Sequence, residues 1–132
     1  MAKEFLYRNK TMTELSEMPL DQFALLVRSR ARRTLQHGFD KQLLKRIEKN
    51  IQTQKAGKEP KAIRTHLRDT VIIPKMVGLR FAVYKGNSFE QVLVIPEMLG
   101  HYLGEMVLTR KRLLHGKAGI GATKSSTAIT AR

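Results

Sequence analysis

Leu79–Ile95 reads LRFAVYKGNSFEQVLVI, two stretches rich in Val, Phe, Tyr and Ile around the polar tetrad Lys85-Gly86-Asn87-Ser88. β-branched and aromatic runs flanking such a tetrad predict two strands joined as a hairpin, Leu79–Tyr84 and Phe89–Ile95. Working outward, Ala62–Arg68 (AIRTHLR) alternates Ile63, Thr65 and Leu67 with Arg64, His66 and Arg68. A period of two predicts a half-buried strand, here with an outer face that is basic or ionisable throughout. Ile73–Gly78 (IPKMVG) and Pro96–Gly100 (PEMLG) each read as one helical turn ended by glycine.

Upstream the period is helical. Asp40 is a natural N-cap, with Phe39 and Leu44 spaced as a hydrophobic staple and Leu43, Leu44, Ile47 and Ile51 forming a stripe. Lys41, Lys45 and Lys49 repeat outside that stripe as its wet face. Gln52–Pro60 (QTQKAGKEP) breaks the pattern. Before it, Met18-Pro19-Leu20-Asp21 opens a helix whose apolar residues Leu20, Phe23, Ala24, Val27 and Ala31 run on to a stop at His37-Gly38. We expect one continuous helix there. Its second half, RSRARR, puts Arg28, Arg30, Arg32 and Arg33 within six residues. A helix C-terminus is served by one or two cations. Four repel one another unless an anion lies across them.

Charge sets the function class. The 132 residues carry 25 Lys+Arg against 11 Asp+Glu, a net +14, while 42% hydrophobic content is enough for a core. Such an excess fits a polyanionic partner. After Glu105 no acidic residue follows, and from Gly116 glycine, serine and threonine dominate, so residues 109–132 read as a basic tail that does not fold alone. Residues 1–38 form a helical extension and 39–108 an α+β core. With no cysteine, thiol chemistry and Cys-ligated metals are excluded. The N-terminus lacks a signal-peptide core and no apolar run reaches membrane-spanning length, so we expect an intracellular protein.

No catalytic motif survives inspection. Gly116–Ser126 (GKAGIGATKSS) has Gly116 and Gly121 at phosphate-loop spacing, but Ala122 stands where the lysine must be. His101 and Glu105 lie four apart, but HYLGE is not H-E-x-x-H and no second histidine is near. His37, His66 and His115 are scattered along the chain in basic stretches, none with a second histidine at metal-binding spacing. We expect no enzyme, metal or cofactor. Clustered arginines, lysines and a glycine-rich stretch suit phosphate contacts. Aromatic residues are too sparse for base stacking to lead, so backbone and shape recognition of folded RNA fits best. A DNA-binding or nucleic-acid-compacting protein is the alternative.

Arg68–Ser126 carries IIPKMVG, a hairpin with turn YKGNSF, then IPEMLGHYLGE and a threonine at 109, in that order. In combination these resemble the family of small ribosomal subunit protein 19, over Phe39 to about Ser126. The RSRARR helix and the GIGATKSS ending are similar to its archaeal and eukaryotic branch, while Met106 replaces an aromatic found in many relatives. The resemblance implies a three-stranded antiparallel sheet with helices on one side. It implies a cytoplasmic place in the head of the small subunit on the 3′ major domain of ribosomal RNA, beside head protein thirteen and near a bridge to the large subunit. The tail would reach toward transfer RNA in the decoding region. RNA-binding residues implied are Lys61, Arg64, Thr65, His66 and Arg68; His101, Tyr102, Arg110, Lys111 and Arg112; and His115, Gly116, Lys117, Gly119, Lys124 and Ser125. Arg28, Arg30, Arg32 and Arg33 join them on charge and branch likeness. Leu43, Leu44, Ile47, Phe81, Val83, Leu93 and Ile95 are assigned to the core.

Overall fold

A computed structural model describes residues 4–114. Four helices precede the sheet: α1 Met12–Glu17, α2 Leu20–Leu26, α3 Ser29–Gln36 and α4 Lys41–Lys55. α2 and α4 start where the sequence reading expects them, whereas α1 is an addition to it. Thr11 and Glu14 close a reciprocal capping box on α1, and Asp40 accepts the Gln42 N–H at 2.9 Å to cap α4.

The continuous helix expected from Leu20 to Gln36 is in fact two. Val27 (φ −84°, ψ 168°) and Arg28 (φ −59°, ψ 152°) are extended and divide α2 from α3. Arg32 stabilises the break. Its Nε donates to Ala24 O (3.2 Å) and its Nη2 to Leu25 O (3.0 Å) and Val27 O (3.4 Å), serving carbonyls that end α2. Phe23, Ala24, Val27, Ala31 and Leu35 stay buried across the break, so the apolar spacing alone does not reveal it.

Three strands follow: β1 Ile63–Thr65, β2 Arg80–Tyr84 and β3 Phe89–Leu93, in spatial order β1-β2-β3. The hairpin is present, with Lys85 N–H donating to Ser88 O at 2.9 Å. The sheet is mixed and not purely antiparallel, because β1 runs parallel to β2. The long connection from Thr65 to Arg80 provides the crossover that a parallel pair requires. β1 also stops earlier than its alternation suggests. The buried Thr65 hydroxyl accepts the Leu67 N–H at 3.0 Å, turning the chain out of the strand and leaving Leu67 exposed.

Helices cover one face of the sheet. Ile63, Phe81, Val83 and Val94 join Leu15, Phe23, Leu35, Leu43 and Ile47 in one core, so all four helices and the sheet share it. Burying Phe23 and Phe81 contributes about 1.5–3 kcal/mol each. Leu43, Ile47, Phe81 and Val83 are core residues as expected, and Leu44 is half-buried. Leu93 (52% exposed) and Ile95 (39%) are not, and Val94 takes the inward position. Register explains the correction: Phe81 faces Val92 across the ladder, whereas Leu93 faces Arg80 on the open side.

The two proline turns, Pro74–Met76 and Pro96–Met98, are copies that hold each other. Ile73 and Ile95 enter with matching backbone (φ −104°, ψ 160° and φ −104°, ψ 158°). Gly78 N–H donates to Val94 O and Val94 N–H to Leu79 O; Gly100 N–H donates to Ile72 O and Ile72 N–H to His101 O. Both glycines are left-handed, at φ +83° and +77°. Alanine at Gly78 would meet nothing within 4 Å, whereas at Gly100 its Cβ would lie 2.7 Å from Tyr7 Oη and 3.3 Å from Val27 Cγ1. Gly78→Ala is therefore expected to cost about 1–2 kcal/mol from backbone strain alone. Gly100→Ala should cost about 1 kcal/mol more, because the tyrosine tip has to shift. Urea melts of the two variants check the order; equal losses would contradict it.

Candidate nucleic-acid interface

The sequence candidates divide by what their side chains do. Arg32 is committed to the α2 carbonyls. Arg68 donates to Tyr84 O (2.7 Å), Gly104 O (2.7 Å) and Val107 O (2.5 Å), joining the hairpin to the root of the tail. Thr65 is buried in its turn. Tyr102 is half-buried, bridges Val71 through the backbone and meets Thr34 Oγ1 at 3.4 Å. His101 Nδ1 lies 2.7 Å from Glu105 Oε2, so HYLGE makes a local pair. Among the described residues no cluster of three His, Asp or Glu could hold a metal.

Arg28, Arg30, Arg33, Lys61, Arg64, His66, Arg110, Lys111 and Arg112 are all exposed. Among the described lysines and arginines, only Arg80 and Lys85 pair with a carboxylate, Glu59 at 3.0 Å and Glu90 at 3.5 Å. The exposed lysines and arginines among the candidates therefore keep their charge available to a partner. His115, Gly116, Lys117, Gly119, Lys124 and Ser125, with the whole Gly116–Ser126 stretch, lie outside the described residues.

Two parts of this surface escaped sequence reading. α4 docks on the approach to β1 through Asn50 Nδ2, which donates to Lys61 O (2.7 Å), and Arg46 Nη1, which donates to Arg64 O (3.3 Å). This leaves a groove lined by Arg46, Lys49, Lys61 and Arg64. Lys49 thus belongs to more than a wet face, and only the α4–β1 packing could reveal that. Across the strands, the His66 ring centroid lies 4.5 Å from Tyr84 and 5.1 Å from Phe89, which are 5.2 Å apart. The Arg64 guanidinium sits 5.6 Å from the Phe89 centroid. Tyr84 and Phe89 are direct partners across the hairpin. Their flanking of the turn was the available signal, but the approach of His66 depends on β1 pairing with β2.

The hairpin turn adjoins the tail root, where Lys85, Asn87, Glu90, Leu108, Thr109, Arg110 and Lys111 line one depression. Arg64 links the α4–β1 groove to the aromatic trio through Phe89, and the hairpin turn beside that trio borders the tail root. α3 contacts Tyr102 through Thr34, with Arg30 and Arg33 exposed on the helix and Arg28 exposed at its start. Among the described residues the arrangement offers distributed positive charge and no group of side chains set for catalysis.

Comparison with known proteins agrees. The family model described as ribosomal protein S19 matches residues 32–115. A protein named small ribosomal subunit protein uS19 from Halorubrum lacusprofundi is 49% identical over 124 residues, covering 94% of this chain and 88% of the relative. Proteins of the same name from Saccharolobus solfataricus and Metallosphaera sedula are each 46% identical over 124 residues, covering 94% of this chain and 89% of each relative. All three relatives are archaeal, in keeping with the branch indicated by RSRARR and GIGATKSS. The chain belongs to the ribosomal protein S19 family, whose members are structural components and not enzymes.

Proposed function

We propose that this chain is a structural constituent of the cytoplasmic small ribosomal subunit, bound to the 3′ major domain of its RNA in the head. The carrying observation is the row of exposed cations without carboxylate partners on α3, the β1 approach and the tail root. Such a surface binds phosphates through charge and, at arginines, bidentate hydrogen bonds. Arg28, Arg30, Arg33, Lys61, Arg64, Arg110, Lys111 and Arg112 make those contacts, with His66 among them as a further point of contact with RNA, while Arg32, Thr65, Arg68 and Tyr102 shape the fold that presents them. The acid-free tail continues from Arg112 toward transfer RNA in the decoding region, and the head neighbours include protein thirteen, near the bridge to the large subunit. The names of the relatives support the subunit, and the charge distribution supports RNA as the ligand.

Sedimentation of a tagged copy in cell extract tests this. In a sucrose gradient with salt high enough to strip loosely bound basic proteins, the chain should remain with small subunits in near one-to-one amount. Migration as free protein or with DNA would favour the nucleic-acid-compacting alternative.

A further inference from the structure

We propose that His66, Tyr84 and Phe89 form a stacking platform for one unpaired RNA base, so that this surface reads a base as well as phosphates. The inference rests on the RNA-binding reading above. His66 is the exposed member, and the half-buried Tyr84 and Phe89 hold its ring at centroid distances of 4.5 and 5.1 Å. The support is pre-organised. Tyr84 Oη donates to Gly86 O at 2.8 Å, and the Tyr84 carbonyl accepts from Arg68 at 2.7 Å. A planar ring fixed in advance stacks on a base with little ordering cost.

Charge specifies the occupant. The platform shares Arg64 with the groove that also contains Arg46, Lys49 and Lys61. On its other flank Arg110 and Lys111 lie beside the hairpin turn, in a depression that Lys85 and its ion-pair partner Glu90 also line. Glu59 and Glu90, the carboxylates on this sheet and its approach, are paired with Arg80 and Lys85. Cations on both flanks with an aromatic plane between them match phosphates on either side of an unstacked nucleotide. A rigid duplex keeps its bases stacked inward and cannot fill the platform.

The test uses the full chain and a folded transcript of the small-subunit 3′ major domain, with affinity measured at several salt concentrations. His66→Ala should weaken binding about 5- to 150-fold, the range for one lost base stack, with the salt slope unchanged. His66→Phe should restore affinity, since it keeps a ring and removes both ring nitrogens. Unchanged affinity for His66→Ala, or failure of His66→Phe to rescue a loss, overturns the platform and leaves the phosphate reading standing. If the unaltered chain shows no preference for the transcript over duplex DNA, both readings fall. Thermal melts of each variant separate lost contacts from lost fold, and the exposure of His66 favours folded variants.

Discussion

Raising salt from 50 to 200 mM is expected to weaken the chain's binding to folded small-subunit RNA by roughly 10³–10⁵-fold. That range corresponds to the release of about 6–10 phosphate counterions. The molecule has the cations for it: exposed arginines on α3, Lys61 and Arg64 at β1, and Arg110, Lys111 and Arg112 at the tail root. The structure adds a sharper expectation. Arg33→Gln should reduce the salt slope by about one, because its charge faces solvent. Arg32→Gln, one residue earlier, should leave the slope nearly unchanged and lower thermal stability instead. Its guanidinium already serves three carbonyls around the end of α2. Fluorescence titrations across that salt range would decide it. A flat response would remove phosphate contact as the source of affinity, and equal slope changes for the two variants would remove the division between docking and structural arginines.

That division also marks what the sequence could convey. The hairpin around Lys85–Ser88, the Asp40 cap and both glycine-ended turns rest on local chemistry, and all were legible. The phase of β3 was not, because Val92-Leu93-Val94-Ile95 has no polar residue to mark a face. Only the pairing of Phe81 with Val92 decides that Val94 points inward and Leu93 outward. The α2–α3 break was hidden for a related reason, since two extended residues left the apolar spacing intact. Among candidate site residues, charge density singled out the arginines but did not separate those that meet solvent from those that meet carbonyls. Arg28, Arg30 and Arg33 differ from Arg32 only in what the folded backbone places within reach. The platform was illegible for a topological reason: His66 meets Tyr84 and Phe89 through parallel pairing that brings distant segments together.

Arg68→Met is the substitution expected to cost the fold most, by about 3–5 kcal/mol. The methionine keeps much of the side-chain stem but leaves the carbonyls of Tyr84, Gly104 and Val107 without their donor. Each hydrogen bond to a charged group contributes about 1.5–3 kcal/mol, and the lower end applies because Arg68 is half-buried. Against a usual total of about 5–15 kcal/mol this is a large share. It should appear as a fall in Tm of roughly 15–25 °C. Arg68→Lys should recover only a minor part, since one ammonium cannot reproduce a planar fork spanning three acceptors. The loss has a functional direction as well. Those carbonyls lie at the end of β2, in the Leu103–Met106 turn and at the first residue beyond it, so Arg68 fixes where the basic tail leaves the core. The same side chain holds the Tyr84 backbone in the aromatic trio. Below the melting temperature, Arg68→Met should therefore weaken RNA binding while changing the salt slope little, because its charge is engaged internally. Calorimetry with salt-dependent titration measures both quantities. A Tm loss below about 5 °C would show that water replaces the guanidinium at these carbonyls, whereas a slope reduced by a full unit would make Arg68 a phosphate contact after all.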